Sequence, residues 1–131
     1  MMTLPINTFV DSYIEHAAAS MRADLHEVLA IMRLIAPHAE LSFELGIPYF
    51  QQDSDLLFGV AAREDHLCIY FDDTSEFYSF AERLNHAQFG ENCLTFHHLH
   101  DININVFAEL LSQIKVHSIK RGRDRLAHLL H

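Results

Sequence analysis

The chain has no tryptophan, only four glycines and three prolines, and just two cysteines in 131 residues. Scarce glycine and proline leave little material for long loops. There is no internal repeat, low-complexity tract or Gly/Ser linker. Cys68 and Cys93 lie in apolar strand-like stretches, so they are expected to be buried thiols of raised pKa rather than a disulfide. No apolar run approaches the roughly 20 residues that a membrane-spanning helix needs. The start, Met1-Met2-Thr3-Leu4-Pro5, lacks the basic and apolar regions of a signal peptide, which points to the cytoplasm. Also missing are a His-Glu-x-x-His pair, a phosphate loop, a dinucleotide fingerprint and a Gly-x-Ser-x-Gly elbow. No spacing in the chain demands a particular reaction, and a non-enzymatic binding protein is the expectation.

Basic residues are scarce over most of the length. Residues 1–114 hold 17 acids and four bases, whereas residues 115–131 hold five bases and one acid. The net charge is −9 with histidines neutral. An acidic body repels phosphate backbones, so nucleic acid is excluded as the main partner. A cation or a basic protein partner is compatible with it. The basic tail is expected to be solvated.

What is present is apolar material: half the residues are hydrophobic and ten are Phe. That suffices for one domain over residues 1–131 with a core of its own. Asn7 or Thr8 can cap a first helix whose apolar face is Phe9, Val10, Tyr13, Ile14 and Ala17. A second helix, about Ala23 to Ala36, carries the stripe Leu25, Val28, Leu29, Met32 and Ile35, and Pro37 stops it. Leu41, Phe43 and Leu45 alternate with polar residues as a half-buried strand. Gly46 and Pro48 bend it, and Tyr49 and Phe50 resume it. Gln51 to Asp55 reads as a polar turn. Leu56–Arg63 and Leu67–Asp72 read as two more strands around the turn Glu64-Asp65-His66, which gives an antiparallel meander.

Ser75 can cap a helix from Glu76 to about Leu84, with Phe77, Phe80, Ala81 and Leu84 facing inward. Gln88–Asn92 is a loop and Cys93–His97 a strand. A helix from Ile104 to about His117, capped at Asn103 or Asn105, buries Phe107, Leu110, Leu111 and Ile114. Gly122 marks a break before a last short helix in the tail 118–131. The class is α+β, with about four or five antiparallel strands packed against N- and C-terminal helices.

Several segments together resemble one family. They are Tyr13-Ile14, Ala36-Pro37, Glu44-Leu45-Gly46-Ile47-Pro48-Tyr49-Phe50, Phe58-Gly59-Val60-Ala61-Ala62, His66-Leu67-Cys68-Ile69-Tyr70 and the strand at Leu94-Thr95-Phe96. Over about residues 7–117 the chain is similar to the YdhG-like family, small bacterial domains of unknown function. Some of its members are described as frataxin-like iron chaperones. Asp53-Ser54-Asp55 stands where the family often has a Gly-Lys turn. Phe89-Gly90-Glu91-Asn92 stands where it often has a Lys-Gly pair. The resemblance implies the fold, and it implies weakly bound iron, delivered to a partner, as a function.

Three groups of residues are candidates for chemistry. Iron delivery would use exposed carboxylates, here Asp11 and Glu15 on one face of the first helix, and Asp72, Asp73 and Glu76 at a strand-to-helix junction. The plainer role of such acids is to complement a helix dipole. The second metal choice is His98, His100 and Asp101; as plain residues these form a solvated strand end. The third group is Gly46, Pro48, Tyr49 and Tyr70, where a bend between aromatic walls can hold a small molecule. Otherwise those rings simply fill the core. No cofactor is required by any of these readings. A ligand-free interaction or regulatory protein remains a further alternative, and the oligomeric state is not legible.

Overall fold

The computed structural model describes residues 6–72 and 74–130, with side chains described for 8–72 and 76–123. Helix α1 (Ile6–His16) and helix α2 (Arg22–Ile35), joined through a 3₁₀ turn at Ala19–Met21, precede six strands. These are β1 (Glu40–Ser42), β2 (Tyr49–Gln52), β3 (Asp55–Ala62), β4 (Leu67–Tyr70), β5 (Gln88–Phe89) and β6 (Cys93–Phe96). Helix α3 (Ile104–Leu130) closes the chain. The sheet runs β1-β2-β3-β4-β6-β5, with every neighbouring pair antiparallel. The α+β class is therefore as expected, with one strand more than the four or five foreseen.

The helices bury the stripes that their spacing implies. In α2, Leu25, Val28, Leu29 and Met32 are buried, and in α3 Phe107, Leu110, Leu111 and Ile114. They meet Phe50, Phe58, Val60, Ile69, Leu94 and Phe96 of the sheet in one apolar cluster. Each such side chain contributes roughly 1.5–3 kcal/mol by leaving water. Asn103 caps α3, its Oδ1 accepting from the Val106 N–H at 3.2 Å. Lys115 Nζ donates to the Ile35 carbonyl at 2.9 Å, satisfying an orphan acceptor at the end of α2.

Other expectations need correction. Asn7 and Thr8 lie inside α1 and do not cap it. The strand through Leu45 stops at Ser42, because a turn closes from the Gly46 N–H to the Phe43 carbonyl at 2.9 Å with Gly46 at φ +81°. Leu45 is left 60% exposed. Gln51 and Gln52 belong to β2, and the turn shrinks to Asp53 and Ser54, both at positive φ (50° and 73°). Two left-handed residues in a two-residue hairpin match the right-handed twist of the flanking strands.

The segment after β4 is a 3₁₀ helix (Thr74–Phe80) followed by turns, not an α-helix. Phe77, Phe80 and Leu84 are buried as expected, but Ala81 is exposed. The capping role given to Ser75 falls outside the described side chains. Gln88 and Phe89, read as loop, pair with Thr95 and Leu94 as a short edge strand. Helix α3 does not break at Gly122: it runs 27 residues to Leu130. There, glycine serves close approach, since a Cβ at Gly122 would collide with the Asp55 carboxylate. Nor is the tail merely solvated, because Arg121 Nη1 reaches Asp72 Oδ2 at 2.7 Å.

Candidate functional site: a cavity on the open face of the sheet

Alternation along the strands sends one set of side chains to the helices and the other set to the opposite face. On the opposite face, Tyr49 pairs with Gly59, Gly59 with Tyr70, and Tyr70 with Cys93, while Ala61 pairs with Cys68. Tyr49, Ala61 and Cys68 are buried yet stand apart from the helix-covered cluster. The register slips between Phe50 and Gln51, a bulge that leaves Leu57 fully buried and its neighbour Leu56 half exposed. The Tyr49 ring lies across Gly59, where a Cβ would strike its Cδ2 and sit 2.9 Å from the Pro48 carbonyl. Glycine is needed at 59 to let that ring lie down on the strand.

A cavity of about 640 Å³ opens here. Its apolar walls are Leu45, Ile47, Leu56 and Phe71; its polar groups include Tyr49, Tyr70, Arg63 and Asp72. Arg63 Nη2 donates to the Tyr70 hydroxyl at 3.0 Å. The Tyr70 hydroxyl first, and the Cys68 thiol second, raise the Arg63 pKa further. Asp72 is held by Arg121 from the far end of α3. Burial, with a smaller push from Asp72, raises the Tyr49 hydroxyl to about 12, so it stays a neutral hydrogen-bonding group. Burial likewise pushes the Cys93 thiol up, as expected of an apolar strand. Both cysteines are free thiols.

The third candidate group thus comes together in part. Tyr49 and Tyr70 line one cavity. Gly46 and Pro48 do not line it; they shape the bend that brings their neighbours Leu45 and Ile47 to its wall. Phe50 belongs to the core. Arg63 was not singled out from sequence. A signal existed in Gly59-x-Ala61-x-Arg63, two small residues and a cation on one face of a strand.

The carboxylates do not assemble. Asp11 and Glu15 are exposed on α1, Glu76 is exposed in the 3₁₀ helix, and Asp72 lies in the cavity wall paired with Arg121. Asp73 lies outside the described residues. The histidine segment is more ordered than a solvated strand end. His98 and His100 stack with centroids 5.2 Å apart and planes 6° apart. They do so through a 3₁₀ turn (Leu99–Asp101), whereas the expectation was an extended strand. His98 Nδ1 is 3.6 Å from Asp24, whose other bond is to the Leu99 N–H at 3.1 Å, and His100 Nε2 is 3.4 Å from Asp101. His97 turns away to the Asp65 carbonyl at 2.9 Å. Among the described residues no three His, Cys, Asp or Glu converge as a metal would need.

No protein-family profile matches the chain, and neither does any curated protein sequence. The fold defines the molecule as an α+β domain with one helix-covered and one partly open sheet face. In structure it is similar to YdhG of Bacillus subtilis, a DUF1801-family protein known from its crystal structure, with a TM-score of 0.67. The likeness covers 77% of this chain and 83% of that one at 12% sequence identity, so it speaks for the fold. The resemblance to the YdhG-like family stands at that level. Among the described residues, no helix is long and apolar enough to cross a membrane.

Proposed function

We propose that the protein is a binding module that takes a small organic molecule in the cavity beside the Gly46 bend. The observation that carries this reading is the construction of the open face. Gly59 lets the Tyr49 ring lie down on the strand, and Tyr49 and Tyr70 line the hollow with their hydroxyl-bearing rings. A volume near 640 Å³ falls within the roughly 300–1,000 Å³ of ligand sites, which combine apolar walls with a few fixed polar groups. Binding rather than catalysis fits the chemistry, because burial keeps both the Tyr49 hydroxyl and the Cys93 thiol protonated. Weak ferrous-iron binding at Asp11, Glu15, Asp72, Asp73 and Glu76 is the rival. Its Asp72 is already engaged by Arg121.

Two titrations followed by two-dimensional amide NMR separate the readings. A fragment mixture should shift amides at Tyr49, Arg63, Tyr70 and Asp72, and a folded Tyr49→Ala variant should lose those shifts. Anaerobic ferrous iron should leave the same amides sharp. Iron-dependent broadening at Asp11, Glu15 and Asp72, without fragment binding, would overturn the pocket reading in favour of iron delivery.

A further inference from the structure

We propose that Arg63 is an anion anchor and that the cavity's occupant is a small apolar acid, a compact hydrocarbon body bearing one carboxylate. The inference rests on the pocket reading above and adds the charge of the ligand. Among the described residues the cavity wall carries two charged side chains, Arg63 and Asp72. They differ in their partners. Asp72 is neutralised, with one oxygen 2.7 Å from the Arg121 guanidinium. Among the described residues Arg63 has no carboxylate partner: it is exposed, and its Nη2 donates to the Tyr70 hydroxyl at 3.0 Å. Such a partner orients a guanidinium without cancelling its charge, and it engages only part of its five-donor fork. Leu56, Tyr49 and Ile47 line the same cavity and are walls suited to a hydrocarbon body. Among the described residues Arg83 has a different arrangement, bonded to Glu109 at 2.6 Å.

The surrounding charge makes this more than a stray cation. A chain of net charge −9 repels free anions in general. An exposed cation with no carboxylate partner among the described residues, lining a concave and partly apolar site, therefore favours an acid that can also bury carbon. A planar carboxylate fits the guanidinium fork in the paired geometry that makes Arg–carboxylate contacts strong.

The test uses the full-length protein and three matched probes: phenylacetate, 2-phenylethanol and phenethylamine. Each is titrated by amide NMR into the wild type and into Arg63→Gln. Phenylacetate should shift the amides of Tyr49, Arg63, Tyr70 and Asp72 and bind most tightly. Its advantage over the alcohol should be roughly 10–100-fold, the span that hydrogen bonds to a charged group provide. Arg63→Gln should erase that advantage by weakening the acid far more than the alcohol. Equal binding of acid and alcohol, indifferent to Arg63→Gln, would overturn the anchor while sparing the pocket. Preference for the amine would overturn it too, giving Asp72 the deciding charge. If no probe shifts these amides, both the anchor and the pocket reading fail.

Discussion

Phe58 and Gly59 are neighbours in β3 and face opposite worlds. Phe58 is fully buried against Phe50 at 5.7 Å between ring centroids, within the cluster that the helices cover. Gly59 lies on the other face, beneath the Tyr49 ring. The covered face is filled by large apolar side chains from every layer. The open face alternates small residues with phenols, and Arg63 brings a guanidinium to it. Stability requires only the first arrangement. The second leaves apolar strand surface under a hollow and spends two tyrosines on its border. That difference is what supports placing the proposed pocket on the open face.

The largest effect should come from the covered face. Phe58→Ala removes a ring from a site that cannot fully collapse and should cost about 3–5 kcal/mol in urea unfolding, with an unchanged slope. Fragment binding should survive wherever the variant remains folded. A cost below about 1 kcal/mol would mean that the two faces are packed alike and would break the comparison.

A smaller cost and the opposite binding result should follow from Gly59→Ala. The added methyl meets the Tyr49 ring and the Pro48 carbonyl, which accepts from the Val60 N–H at 3.1 Å. Overpacking of this kind costs about 1–3 kcal/mol. The ring must swing away, so binding at the cavity should vanish while the protein stays folded. Retained binding would show that the position of Tyr49 over Gly59 is incidental.

How far these faces were legible in sequence depends on what each signal measures. Leu25, Val28, Leu29 and Met32 recur at helical spacing, and burial of such a stripe follows directly from the period. Phe50 was grouped with Tyr49 at the bend, yet it faces the helices and belongs to the core. The end of β1 was misread because Leu45 continued the alternation. Gly46, at positive φ, had already turned the chain. Gly122 was misread in the other direction. A glycine in a polar tail looks like a break, and only the approach of Asp55 gives it a packing role. The candidate site was half visible: Tyr49 and Tyr70 were placed by the bend and the hairpin. Arg63 was missed because its pairing with Tyr70 crosses a turn. Asp72 was assigned to metal because its partner, Arg121, lies 49 residues away.

Alkaline titration gives the subtlest comparison, because it reads the open face through one proton. The Tyr49 hydroxyl rises from 10.0 to about 12 in the folded chain, through burial first and Asp72 second. Unfolded, the same phenol ionises near its ordinary value. Between roughly pH 10 and 12 the native state therefore binds more protons than the unfolded state, and stability must fall as pH rises. The contribution is complete below pH 10 and lost through the folded value. At about 1.4 kcal/mol for each pH unit of displacement, discounted for partial solvation, it is roughly 1–2 kcal/mol. Tyr49→Phe should flatten that part of the unfolding profile and remove the late component of tyrosinate absorbance. Tyr49→Phe tested below pH 10 should change stability far less than Phe58→Ala does. If the late component persists in Tyr49→Phe, the hydroxyl does not sit in the desolvated rim that the cavity requires, and the two faces differ less than their packing implies.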